Sequence, residues 1–328
     1  MVILVALVIG GWELYLRQKG VPIAYDDGKE LWSDQRAMVY EPPSRTTVFI
    51  GSSRIKFDLD LDTWQKLTGR HAVQLAIEGS SPVPILEDLA ADPGFAGKLV
   101  IDVTEPIFFS GSEYNAARPR ENINYYHKQT PAQRASFILN HALESKLIFL
   151  DKEFLSLNTG LDQLHIPNRP GVSSLPMFPL DFRRANFSRQ NKMDDRFLAD
   201  TALRHRVQTI WLYTAKAAVK GGGVRKDPTP GIMHTVVQAV DRIRARGGEV
   251  IFLRLPCSGP MEKGENSRFP RAKFWDPLLA ATHCAGFHYT DHPETSHFIC
   301  PEWSHLSPAD AVIYTRALIE ELPASFVH

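Results

Sequence analysis

Three short β-favouring runs, "TTVFIG" from Thr46, "AVQLAIEG" from Ala72 and "KLVIDVT" from Lys98, are separated by stretches of helical spacing. No other feature of the chain limits the fold as much. Parallel strands need crossover connections, and strand–helix–strand units at this interval place helices against a parallel sheet. Local signals agree. "DLDTWQKLTG" offers Asp60 or Asp62 as N-cap and Gly69 as stop, and "SPVPILEDLAAD" offers Ser81 as cap with Pro82 in the first turn. The expected fold is α/β, a three-layer α/β/α arrangement around a central parallel sheet.

The rhythm lapses after "TEPIFF" and returns at "GIMHTVVQAVDRIRARGG". Between them, residues 110–230 carry helical patterns and form the expected helical insertion. The Gly triplet at 221–223 is its hinge or loop, or an anion-binding nest of backbone amides. A fourth strand in "EVIFLRLP", a charged and basic loop through "SGPMEKGENSRFPRAKFW", a helix in "FWDPLLAATHCAG" and a fifth strand in "FHYTD" follow. "SPADAVIYTRALIEEL" closes the chain as a helix capped by Ser307. The sheet domain thus takes residues 46–109 and 231–328. Residues 17–45 are polar and expected as a linker holding one short helix from Lys29 to Val39.

Before that linker runs the apolar segment "MVILVALVIGGW". It is short for a spanning helix, which needs roughly 20 apolar residues. The alternatives are a buried element of the domain or an uncleaved membrane anchor over residues 1–16, and we expect the anchor. Lys+Arg and Asp+Glu are equal at 37 each, so no electrostatic case exists for a nucleic-acid partner. Three cysteines cannot all pair, although Cys284 and Cys300 could be bridged in an oxidising compartment.

Ligands of open parallel sheets sit beyond the carboxyl ends of the strands. The segments to inspect are therefore "GSSR" after the first strand, "EGSSP" after the second, "TEPIFF" after the third, "PCSG" after the fourth and "CPEWSHLSP" after the fifth. Each has an unremarkable reading. Ser52 and Ser53 could cap the next helix, Ser80 and Ser81 could do the same, and His305 could lie on the surface. Arg54 could bind a substrate carboxylate or phosphate, or pair with a carboxylate such as Glu105. His283, Cys284, His288, His292, His297, Cys300 and His305 crowd one segment, but their spacings match no established zinc pattern. We expect no metal and no cofactor.

Taken together, Gly51-Ser52-Ser53-Arg54, "LAIEGSSP" with Gly79, and "EWSHLSP" with Glu302 and His305 resemble the SGNH (GDSL-type) hydrolase superfamily. The resemblance covers about residues 46–108 and 232–325. It implies Ser53 as nucleophile, His305 as general base, Glu302 as the acid behind it, and the amides of Ser53 and Gly79 as oxyanion donors, with Ser52 and Arg54 beside them. Two departures stand out: the acid is Glu where Asp is usual, and Thr104 and Glu105 stand where the third block carries Gly-x-Asn-Asp. The resemblance further implies ester hydrolysis or transfer of a short acyl group such as acetyl. Its substrate would be an acylated small molecule or envelope glycan, with a membrane protein as one source of the acyl group. The expected location is the cell envelope, N-terminally anchored with the domain periplasmic. The competing expectation is a binding or scaffold protein that keeps the fold without turnover.

Overall fold

The computed structural model describes residues 1–327 apart from 22, 24, 43, 163, 165–177, 183 and 221–226, so the Gly triplet lies outside the described residues. Helix α1 (Val2–Gln18) precedes α2 (Lys29–Ala37), after which the sheet domain begins with β1 (Thr46–Ile50), α3 (Ser53–Asp58), α4 (Leu61–Thr68), β2 (His71–Gln74), α5 (Val83–Ala91), β3 (Lys98–Asp102) and α6 (Glu105–Phe108). The insertion runs through α7 (Glu113–Lys128), α8 (Pro131–Glu144), α9 (Lys152–Leu155) and α10 (Leu157–Asp162). A two-residue antiparallel pair, β4 (Arg184–Ala185) with β5 (Asn191–Lys192), comes next, then α11 (Asp195–Ala199) and α12 (Thr201–Lys220). The domain resumes with α13 (Thr229–Ala245), β6 (Glu249–Arg254), α14 (Gly259–Arg268), α15 (Trp275–Thr282), β7 (Ala285–His288), α16 (Pro308–Glu321) and α17 (Ala324–Val327).

The five long strands form one parallel sheet in the order β2-β1-β3-β6-β7. Strand side chains alternate between faces, and the two cores follow that alternation. Val48 and Ile50 of β1 and Leu99 and Ile101 of β3 meet Trp32, Leu86, Leu89, Val240 and Leu278 on one face. Phe49 and Val100 meet Trp64, Tyr314 and Leu318 on the other. Both faces are covered, so β1 and β3 are buried along their whole length and read as continuous apolar runs. This is the three-layer α/β/α fold. The chain turns outward in opposite directions from β1 and β3, and that switch point is where such sheets form ligand crevices.

Most caps sit where the sequence puts them. Asp60, not Asp62, accepts the Thr63 amide at 2.8 Å, and Gly69 ends α4 with φ +67°. Ser307 accepts the Asp310 amide at 3.1 Å. The exception is Ser81: Pro82 takes the N-cap position of α5 without a side-chain cap, and Ser81 Oγ accepts the Val83 amide at 3.3 Å from one residue further out. Four other expectations need correction.

Residues 17–45 do not merely link: α2 packs into the sheet domain, with Trp32 fully buried and its indole N–H donating to Leu75 O at 2.9 Å. Arg36 is buried too and bonds Asp88 and Asp92 at 2.9 and 2.8 Å, which explains how so polar a segment joins a core. The charged loop after β6 is mostly helix α14, whose charged residues face solvent except Glu265. The helical pattern expected of the insertion is broken within "DDRFLADTALRHRVQTIWLYTAKAA", which forms α11 and α12 on either side of Asp200, whose carboxylate accepts the Ala202 amide at 2.8 Å. The fifth strand starts two residues early, at Ala285.

Helix α1 stands largely outside these layers. Only Glu13 and Leu16 are buried, while Val2, Leu4, Leu7 and Val8 are all more than 60% exposed. Among the described residues, no helix is long and apolar enough to cross a membrane.

Candidate active site

The turn after β1 is built by close approach. A Cβ at Gly51 would lie 2.5 Å from Asp102 Cβ, so only glycine lets the ends of β1 and β3 sit this close. Asp102 then accepts the Ser52 amide at 3.1 Å and the Thr104 hydroxyl at 3.1 Å. Burial pushes its carboxyl up to about 6, against the pull of those donors and of Arg54. Ser52 points inward: its hydroxyl is buried without a partner among the described residues, and it makes no side-chain cap. Ser53 opens α3 and turns the other way.

At 2.8 Å from Ser53 Oγ lies His305 Nε2, contributed from 252 residues further along the chain. His305 Nδ1 is 2.8 Å from Glu302 Oε1. The same Glu302 oxygen accepts the His305 amide at 2.7 Å and the Ser304 amide at 3.3 Å, and its other oxygen accepts the indole N–H of Trp211 on α12. The carboxylate is fully buried with every bond directed. Phe57 holds the imidazole ring at a centroid distance of 4.4 Å, and Phe182 and Trp211 close the far side at 5.8 and 6.1 Å. A hydroxyl, an imidazole and a carboxylate are thus aligned as a proton relay needs them.

Both arms are clamped from outside. Six residues make α3 too short to hold itself, yet each of its charged side chains is fixed. Arg54 grips Glu265 through two nitrogens at 2.9 and 2.6 Å, Lys56 bonds Asp27 and Glu78, and Asp58 accepts the Leu306 amide at 2.8 Å. The last bond ties the serine's helix to the residue after His305 and so sets their register. On the histidine side Trp303 adopts φ +82°, in the left-handed region. Such backbone costs about 1–3 kcal/mol and persists only where surroundings enforce it. Here the Ser258 amide donates to Trp303 O at 2.9 Å, and Trp303 N donates to Cys300 O at 3.1 Å.

Gly79 borders the cleft with φ +64° and open space where a side chain would stand. Beside it, Asn115 from the insertion donates its amide to Gly79 O at 2.8 Å while accepting the Ser110 hydroxyl at 2.8 Å. Sequence reasoning missed Asn115, Trp211 and Asp58, because each gains its role from a fold contact and not from a motif. Ser53, Gly79, Thr104, Asn115, Trp211 and His305 all line one cleft of about 820 Å³.

Arg54 pairs with a carboxylate, as the second of its two expectations has it, but the partner is Glu265 and not Glu105. Its guanidinium is buried on Glu265, while Glu105 pairs with Arg254 at 2.6 Å. Arg254 also reaches Glu265 at 2.7 Å. Burial works to raise the Glu265 carboxyl, but Arg54 and Arg254 outweigh it and hold it at about 2. The histidine-rich segment does not converge. His292 stacks on Phe287 at 4.2 Å, His297 Nδ1 meets Pro293 O at 2.9 Å, and His288 bonds the Thr290 hydroxyl at 2.8 Å. Among the described residues no three His, Cys, Asp or Glu side chains could hold a metal ion together. Cys257, Cys284 and Cys300 are free thiols, so the Cys284–Cys300 bridge is absent. No family model matches this chain, and no curated protein matches it in sequence.

Proposed function

We propose that this chain is a serine-dependent acyl-transfer enzyme of the SGNH type, hydrolysing or relaying a short acyl group on an envelope glycan or similar acylated substrate. One observation carries the reading: Ser53, His305 and Glu302, drawn from opposite ends of the fold, are joined by two 2.8 Å contacts at the wall of a cleft. In that reaction Ser53 Oγ attacks the ester carbonyl carbon as His305 Nε2 takes its proton. Glu302 holds the Nδ1 proton and stabilises the imidazolium. The carbonyl oxygen becomes an oxyanion facing the amides of Ser53 and Gly79. Ser53 is the first helical residue, so its N–H has no intrahelical acceptor. Collapse expels the alcohol, which takes the proton from His305, and leaves an acyl-serine. Water, or an acceptor hydroxyl, then attacks the acyl carbon as His305 takes its proton. The second collapse breaks the bond to Ser53 Oγ, which takes that proton back from His305 as the acyl group leaves on the new oxygen.

A fluorophosphonate probe tests this. Ser53 should be labelled in the wild type, not at all in Ser53→Ala and far more slowly in His305→Ala. Folded wild-type protein that takes no label, or takes it on Ser52, would overturn the assignment.

A second reading, a binding or scaffold protein of the envelope, has its own support. The Thr104 hydroxyl, at the position of the third oxyanion donor, is bonded to Asp102. The enzyme reading gives that task to the second N–H of the Asn115 side-chain amide, the first being on Gly79 O. We further assign α1 to the membrane as an N-terminal anchor, with the sheet domain on the periplasmic side.

A further inference from the structure

Helix α8 has an apolar side too many. Its inner side is used: Phe137 is 7% exposed and packs edge-on against Tyr25 at 6.4 Å, and His141 meets Phe187 at 4.9 Å. Yet Ile138, Leu139 and Leu143 are 62%, 68% and 53% exposed on its outer side, with Ala135 and Ala142 between them. A surface helix turns one apolar stripe to its core, and α8 carries a second one outside it, beside its polar Gln133, Arg134 and Asn140. Across the loop, α10 repeats the pattern with Leu157 and Leu161 at 77% and 51%.

What covers α8 follows from its neighbours. Helix α1 is bolted to the end of α8: Arg17 donates to Lys146 O at 2.6 Å, and the Glu13 carboxylate accepts the Ile148 and Phe149 amides at 3.2 and 3.0 Å. The exposed apolar turns of α1 therefore start from the end of the exposed apolar side of α8. Charge points the same way. No Asp or Glu lies between Glu121 and Glu144, whereas Lys128 and Arg134 are exposed there, and Lys146 and Lys19 are exposed around the joint. A chain balanced overall has placed a basic and apolar surface around the root of its apolar helix, where the carboxylates of Glu13 and Glu144 are buried. That combination matches a bilayer surface carrying anionic lipid.

We infer that the outer side of α8 is a second membrane-contact surface, seated in the headgroup region of the anionic bilayer that α1 enters. This rests on the anchoring part of the reading above and not on its chemistry. Two contacts fix an orientation where one helix alone would leave the domain free to swivel. The insertion then holds the cleft at a set height and tilt over the membrane.

Co-sedimentation of the full chain with phosphatidylcholine vesicles, with and without phosphatidylglycerol, tests it. The variant Ile138→Ser/Leu139→Ser/Leu143→Ser should partition about tenfold or more weakly, because each of these side chains would otherwise bury most of its apolar area. The substitutions sit on exposed positions, so the core is untouched. Lys128→Glu/Arg134→Glu should weaken binding only to vesicles with phosphatidylglycerol. Triple-serine protein that binds as well as wild type overturns the proposal. So does a wild-type dimer in sedimentation velocity that the triple variant dissolves, since the surface then belongs to a second copy. Val5→Asp/Val8→Asp in α1 separates the two claims: if it leaves binding intact while the α8 variant loses it, the anchor reading fails and the α8 surface stands.

Discussion

Two buried glutamates flank the turn after β1, and they do opposite things. Glu302 faces an imidazole and an indole N–H; Glu265 faces two guanidiniums. A guanidinium never gives up its proton in a protein, so the Glu265 side is a fixed brace. An imidazole changes charge near neutrality, so the Glu302 side can follow a proton through a reaction. Burial and residue type are the same on both sides. The partner decides whether a carboxylate holds shape or supports chemistry.

The contrast breaks most cleanly at Glu302→Gln. The amide keeps the volume and can still accept the Ser304 and His305 amides, but it offers no charge to the imidazolium. Turnover of a short aryl ester, read as kcat/KM at neutral pH, should fall by about 10³–10⁴ with little change in urea midpoint. A loss under tenfold would remove Glu302 from the relay.

Glu265→Gln should give the mirror image. It strands Arg54 and Arg254, both buried, without their shared counter-charge. Removing one partner of such a set costs about 3–5 kcal/mol, read in equilibrium unfolding, while the folded fraction still labels at Ser53. The wild-type linkage has a definite sign. This carboxyl is held at about 2, so its contribution is fully present above the ordinary carboxylate range and is lost as pH falls from about 4 towards 2. Unchanged stability in the variant would make the brace ornamental.

Asp102 is a third case, a carboxylate with amide and hydroxyl donors but no direct ion pair. Its folded value of about 6 lies above its ordinary 3.8, so the folded state binds the proton more tightly than the unfolded one. Stability therefore declines as pH rises from about 4 to 6 and is level beyond, by up to about 3 kcal/mol at about 1.4 kcal/mol per pKa unit. Asp102→Asn, which keeps an acceptor for the Ser52 amide, should flatten that slope. Identical pH–stability curves for the two proteins would show that Asp102 is not the group responsible.

How much of this the sequence carried depends on distance along the chain. Strands with continuous apolar runs, the caps at Asp60 and Ser307, and Ser53, Gly79, Glu302 and His305 as candidates were legible because each is a local pattern. That Arg54 pairs with a carboxylate was legible, but which one was not, because a charge is silent about its partner: Glu265 sits 211 residues away, on a segment whose charged face disguised a helix. Likewise α2 looked like a linker because its buried members include Ser33, Gln35 and Arg36, polar residues that no local pattern marks for burial. The insertion was legible as helical, but its part in the site was not. Trp211 and Asn115 belong to helices with no motif, and nothing in their neighbourhoods announces a cleft.

The smallest expected effect bears most directly on that last point. Trp211→Phe leaves an aromatic ring near His305 and removes one N–H from Glu302 Oε2. A buried carboxylate that loses one neutral donor forfeits about 1–1.5 kcal/mol, so kcat should fall about tenfold. KM should hold, because the lost bond orients the base without gripping substrate, and the urea midpoint should stay near that of wild type because Trp211 is only partly buried. If kcat is unchanged, the insertion merely walls the cleft and the sheet domain alone supplies the relay. If kcat falls as expected, α12 is a working part of the Glu302 side, and the line between fixed brace and proton carrier runs through the insertion as well as the sheet.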